Sequence, residues 1–206
     1  MHIPDGFLDV KTWVATGALS AGTLAYALRR TRRTLQDRQV PAMGVMAAFI
    51  FAAQMVNFPI VGGTSGHLIG AVLAAVTLGP WSACVIMTVI LILQALLFQD
   101  GGLTALGANI LNMGVVAVFA GYGVYRLLRR YRTVGVFVAS WVSVMLAAAA
   151  CAAELAVAGT IPLAVVLPAM LFWHAFIGVG EGLITAAVVE ILARTGVAPS
   201  RDTAKA

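Results

Sequence analysis

Residues 12–33 read TWVATGALSAGTLAYALRRTRR, seventeen residues without a charge followed by four arginines in five positions. As a helix those seventeen residues rise about 26 Å, close to the hydrocarbon thickness of a bilayer. The segment is therefore expected to cross a membrane with its basic flank at the C-terminal end. A secretory signal would put its basic region first, whereas the preceding MHIPDGFLDV holds no Lys or Arg.

The rest of the chain continues in the same manner. Of 206 residues, 61% are hydrophobic and 10% charged, against roughly a quarter charged in a soluble domain. Such a composition cannot cover a water-exposed surface. The expected fold is an all-α integral membrane protein, one domain over 1–206, with helices near 12–28, 42–58, 66–79, 82–98, 106–127, 136–158 and 165–193. The third segment is short for a span, which leaves the count at six or seven. Gly79-Pro80 should end it, because proline lacks the backbone donor a helix interior needs. Cys84 and Cys151 lie inside apolar runs, where a thiol behaves as a small hydrophobe.

Charge placement sets the orientation. With the N-terminus outside and seven spans, the loops at 29–41, 79–81 and 126–135 and the tail from Arg194 all fall inside. Every Lys and Arg except Lys11 then lies on the cytoplasmic side, as the positive-inside rule requires. The net charge of +5 is accounted for by anionic lipid headgroups, without nucleic acid. Residues 195–206 read as a flexible cytoplasmic tail.

The chemistry left over is sparse. Met1, His2, Asp5, Asp100, Asn109 and the connection NFPIVGGTSGH at 57–67 fall on the outer side. Glu154, His174 and Glu181 fall within spans, where ionisable groups are costly and mark function or a polar helix contact. His174 and Glu181 are seven residues apart, two helical turns, and so share a face.

Residues 1–10 form a candidate metal-binding segment. His2 should protect Met1 from removal, leaving an α-amine beside an imidazole. The amine, the His2 amide and His2 Nδ1 can form fused chelate rings around one metal. His67, on the same side, can supply a fourth nitrogen to a planar set of the kind Ni(II) and Cu(II) prefer. A lone His2 is equally a disordered terminal side chain, and His67 a hydrogen-bonding group. Gly63-Thr64-Ser65-Gly66 also matches the GxSG of intramembrane serine proteases, with His174 as a candidate base. A vitamin-specific transport subunit is a further reading, although its pocket would call for aromatic and hydrogen-bonding groups sized to an organic ligand.

Four longer blocks decide among these. MHIPDGFL (1–8), GGTSGHLIGAVLAAVTLGPW (62–81), QALLFQDGGLTALGANILNMG (94–114) and HAFIGVGEGLIT (174–185) resemble the CbiM/NikM family, the substrate-binding membrane subunits of energy-coupling factor transporters for cobalt and nickel. The resemblance implies seven helices and an N-terminal segment inserted into an outward-facing pocket. It implies metal binding by Met1, His2 and His67, with Asn109, His174 and Glu181 as supporting candidates. It also implies a non-catalytic role in a bacterial or archaeal cell membrane, with Ni2+ or Co2+ as the transported substrate and no organic cofactor. A membrane coupling subunit, cytoplasmic ATPases and a small accessory membrane subunit are the implied partners; the chain has no GxxxxGK[ST] motif for ATP. Gly62-x3-Gly66-x3-Gly70 and Gly178-x3-Gly182 suit close helix contacts, with internal packing favoured over docking.

Overall fold

The computed structural model describes residues 1–60 and 64–195. Gly62, Gly63, Arg201, Lys205 and the tail beyond Thr195 lie outside the described residues. Helix α1 spans Val10–Thr34, α2 Val40–Gln54, α3 Ala71–Leu78 and α4 Pro80–Leu93. Then come α5 Leu106–Asn109, α6 Ala117–Leu128, α7 Arg132–Val157 and α8 Leu163–Arg194. A π-helical turn at Gln94–Phe98 prolongs α4, and another at Ile110–Val116 fuses α5 to α6 into one rod. Among the described residues the helices thus make seven rods; apart from the third, each lies within about four residues of its expected bounds except that α1 runs on to Thr34, six residues past the expected end.

The exterior is apolar and the interior is small and partly polar, the reverse of a soluble bundle. Thr12, Thr16, Ser20, Ala27 and Thr31 are the buried positions of α1, while Val14 and Leu19 point outward, Leu19 being 60% exposed. On α8, Phe172, Phe176 and Leu183 are exposed. The core between the helices is rich in alanine, with Ala74, Ala83, Ala108, Ala117, Ala147 and Ala152 at 0% exposure. Small residues allow backbones to approach where lipid tails offer no hydrophobic drive. At the α1–α5 crossing a Cβ on Gly107 would lie 2.4 Å from Gly17 Cα, and Ser20 Oγ donates to Gly107 O at 2.6 Å.

Pro80–Phe98, Leu163–Arg194 and the run Leu106–Val157, which contains α5 to α7, are long and apolar enough to cross a membrane. The third rod departs from expectation. Helix begins only at Ala71, so α3 has eight residues and rises about 12 Å, too little for a span. Residues upstream form a two-stranded antiparallel hairpin, Phe58–Ile60 with Thr64–Gly66, in register Pro59↔Ser65. This corrects both the wholly helical reading and the helix end expected at 58: α2 stops at Gln54. Gly66 therefore lies in the second strand and not on a helix, while Gly70 caps α3 and packs closely on α2, where a Cβ would meet Ile50 at 2.8 Å. Pro80 starts α4, where its missing N–H is an orphan anyway. Gly178 and Gly182 serve internal packing as expected: a Cβ on them would meet Trp141 at 2.9 Å and Phe137 at 2.6 Å on α7.

Candidate metal centre

Residues 1–9 fold into the mouth of the bundle instead of projecting from it. Met1 and Ile3 are fully buried and His2 is 4% exposed. The segment is fastened along its length by partners distant in sequence. The Met1 amine donates to Ser65 O and to Ser65 Oγ, the latter at 3.1 Å. Cys151 Sγ approaches Met1 O at 3.9 Å. Asn109 holds Ile3 on both sides, its Oδ1 accepting from Ile3 N at 2.8 Å and its Nδ2 donating to Ile3 O at 3.1 Å. Gly102 N also donates to Ile3 O, at 2.9 Å. A Cβ on Gly102 would fall 2.3 Å from Asp5 N, so glycine is required for the segment to lie so close. Asp5 Oδ1 accepts from Thr104 N at 2.7 Å and Thr104 Oγ1 at 2.6 Å, and Thr160 Oγ1 donates to Phe7 O. Asp9 ends the segment as the N-cap of α1, accepting from Thr12 N at 3.2 Å, the usual role of a short acidic side chain there.

This arm brings His2 against His67, with ring centroids 4.6 Å apart and planes at 85°. His67 is placed by the stretch between the hairpin and α3, and its Nδ1 lies 2.7 Å from Leu68 O. His2 Nδ1 lies 2.9 Å from Asp100 O and 3.1 Å from Asp100 Oδ1. His174 Nδ1 lies 2.7 Å from Met170 O. In each case the oxygen can only accept, so Nδ1 carries a proton, and in the neutral ring the lone pair is on Nε2. All three Nε2 atoms are buried without a hydrogen-bond partner. A ligating histidine characteristically donates its other ring N–H to a carbonyl or carboxylate, and a buried polar atom without a partner calls for explanation.

Electrostatics favour neutral donors here. Burial lowers the Met1 amine from 8.0 to about 5, although Cys151 and Asp100 act to raise it. Burial, then the amine and His2, hold His67 well below its usual 6.5. Burial acts to raise Asp100, but the hydrogen bond from His2 and the nearby amine more than offset it and leave the carboxyl low. Near neutral pH this gives a nucleophilic amine and an unprotonated imidazole beside an anionic carboxylate, a site suited to a divalent cation with affinity for nitrogen.

Among the described residues no three His, Cys, Asp or Glu side chains converge as a metal-holding group. A centre here must count the main chain, as the Met1 amine and His2 amide allow. The fused chelate needs His2 Nδ1 on the amine side, whereas this structure turns that nitrogen to Asp100. A half-turn about Cβ–Cγ would bring Nδ1 to where Cδ2 now lies, at the cost of the Asp100 contact.

The remaining sequence candidates separate. Asn109 fixes the arm. His174 and Glu181 are both buried on α8 but serve different partners. Glu181 accepts from Ile69 N and Gly70 N, each at 2.6 Å, tying α8 to the stretch that carries His67. The serine-protease pair is not made, because Ser65 Oγ takes the amine and His174 Nδ1 faces Met170. Sequence reading passed over Ser65 as part of the site, and Gln54, Gln94, Gly102 and Thr104 with it. The one available signal was their place in polar blocks, such as FQDGG at 98–102, inside otherwise apolar sequence.

Fold and site together define a multi-pass membrane protein with a buried amine and two buried histidines gathered at one mouth of the bundle. The family model described as cobalt uptake substrate-specific transmembrane region matches residues 2–198, and the chain belongs to that family, whose members are metal transport proteins and not enzymes. A relative from Archaeoglobus fulgidus, named provisionally as the fused nickel transport protein NikMN, is 45% identical over 196 residues, covering 94% of this chain and 65% of its own. The cobalt transport protein CbiM of Streptomyces coelicolor is 34% identical over 207 residues, covering 95% of this chain and 89% of its own. This chain thus spans about two thirds of the fused relative's length. A crystal structure of a truncated transition metal transporter superposes with a TM-score of 0.91 at 40% identity, covering 95% of this chain and 99% of that one.

Proposed function

We propose that this chain is the substrate-capturing subunit of an energy-coupling factor importer and takes Ni2+ or Co2+ from the outer side of the membrane. The observation that carries the reading is the buried arm, which sets the Met1 amine and His2 beside His67 with both Nε2 atoms unpartnered. Met1, His2 and His67 are the metal ligands, with the His2 amide as a fourth donor once the imidazole turns. Asn109 acts on the arm and Glu181 on the His67 stretch, while His174 lines the bundle below the site. With the N-terminus outside, and the third rod crossing together with the non-helical stretch before it, the basic loops face the cytoplasm, where ATPase partners engage through a membrane coupling subunit. A small accessory membrane subunit fits the greater length of the fused nickel transport relatives.

The test is metal content and calorimetric Ni2+ and Co2+ titration of the purified protein against His2→Ala, His67→Ala and a form with one residue added before Met1. The extension displaces the amine while keeping every side chain. All three changes are expected to weaken binding by about tenfold or more, the scale on which even supporting residues act. Unchanged affinity in the extended form rules the amine out as a ligand.

A further inference from the structure

Two buried side chains from different helices, Gln54 and Glu181, converge on one loop residue, and a third, Gln94, supports Gln54 from behind. Gln54 of α2 and Gln94 at the end of α4 are 0% exposed, and Glu181 of α8 is 3% exposed. Ile69, two residues after His67, is gripped from both sides: its N–H donates to Glu181 Oε2 at 2.6 Å, and its carbonyl accepts from Gln54 Nε2 at 2.7 Å. Gln94 Nε2 in turn donates to Gln54 Oε1 at 3.0 Å. The polarity is forced. Ile69 O can only accept, so Gln54 must offer its amide N–H inward and its oxygen outward, and Gln94 must donate to that oxygen. Gln94 Oε1 is accordingly left without a partner.

The chain does not stop at Gln94. The π-turn that begins there lets its main-chain carbonyl accept from Asp100 N at 3.1 Å. Asp100 faces His2 Nδ1 through both its carbonyl and its carboxylate. Through the main chain and then the side chain of Gln94, this run joins the Asp100 loop, against which the His2 ring rests in this structure, to Gln54 and Ile69 of the His67 stretch, and ends on Glu181. Gln94 and Gln54 bond one another between α4 and α2, but the pair ends with Glu181 on main-chain groups of Ile69 and Gly70, just after His67.

We propose that Gln94, Gln54 and Glu181 are positioning residues that fix the distance between the His2 arm and the His67 stretch and thereby set metal affinity. The proposal rests on His2 and His67 being ligands. Donor sets must be held to within about half an ångström of productive geometry by such supporting groups, and neither histidine sits on a helix that could do so.

Gln54→Met and Gln94→Met preserve volume and remove the donors. In the full-length protein in detergent, each is expected to weaken Ni2+ binding about tenfold or more and to shift the visible absorption band of the Ni2+ complex. Because both act in one run, the double variant should bind within about twofold of Gln54→Met alone. Ni2+ affinity within about twofold of the parent protein with an unmoved band overturns the proposal, whatever happens to thermal stability, since that pattern marks packing alone. If Gln54→Met does not fold, Gln94→Met decides the matter at the other end of the run. His67→Ala is measured in parallel: if it binds Ni2+ like the parent, the ligand assignment itself has failed, whereas its loss beside unaffected Gln variants refutes only the positioning run.

Discussion

The Met1 amine gives the site a pH dependence whose sign follows from burial. Docked, it is lowered from 8.0 to about 5; released into water it regains its ordinary value. Between pH 8 and 5 the released arm therefore binds a proton that the docked arm does not. Docking is strongest above pH 8 and weakens as pH falls, by about 1.4 kcal/mol per unit and roughly 4 kcal/mol across the window. His67, also held low by burial, adds in the same direction below its ordinary 6.5. Asp5 and Asp100 do not oppose this above pH 5, because their carboxyls are held below 3.8 and are ionised whether docked or released. Hydrogen exchange at residues 2–9 should accordingly show greater opening at pH 6 than at pH 8, after correction for intrinsic rates. An opening free energy constant across that range would mean that the amine is not buried as described.

At the level of elements, the π-turns and close crossings do the placing. Each π-turn adjoins the site, one between Gln94 and Asp100 and the other directly after Asn109, in keeping with the concentration of such turns at functional positions. The α1–α5 crossing determines where Asn109 sits and offers a matched pair of substitutions. A Cβ at Gly107 would meet Gly17 Cα at 2.4 Å, backbone against backbone, whereas a Cβ at Gly17 has nothing within 4 Å. Gly107→Ala should cost about 1–3 kcal/mol by overpacking, lowering the melting temperature in detergent. Gly17→Ala should be neutral or slightly stabilising, since alanine favours helix. Equal effects from the two would place the crossing elsewhere. Neither turn nor crossing was legible in the sequence. Hydropathy located the rods because burial in lipid imposes long apolar runs, and it even marked the third as short. It was blind to the hairpin at 58–66 and to π geometry, since both depend on what a loop packs against. The site divided along the same line. Met1, His2 and His67 stood out through matching sequence blocks, but Gln54, Gln94 and Ser65 acquire meaning only through partners tens of residues away.

For the molecule as a whole, the decisive quantity is orientation, because capture from outside requires the arm and the basic loops to lie on opposite faces. The arm closes the bundle at the N-terminal end of α1, where Asp9 caps the helix. At the opposite end of that helix Arg32 and Arg33 occupy the last turn, favourably placed against the helix dipole. The turn between α6 and α7 carries Arg129 and Arg130, and α8 ends at Arg194. A basic end and a weakly acidic, histidine-bearing end are thus separated by the length of the bundle, and loops rich in Lys and Arg stay on the cytoplasmic side during insertion. The proposed orientation, arm outside and arginines inside, rests on this asymmetry and the positive-inside rule. Single cysteines test it in intact cells. Both native thiols, Cys84 and Cys151, are buried, which keeps the background low. Asp9→Cys, at an exposed position, should react with a membrane-impermeant maleimide before permeabilisation. Arg130→Cys, also exposed, should react only afterwards. The reverse pattern would put the two histidines on the cytoplasmic side and refute the proposed capture from outside.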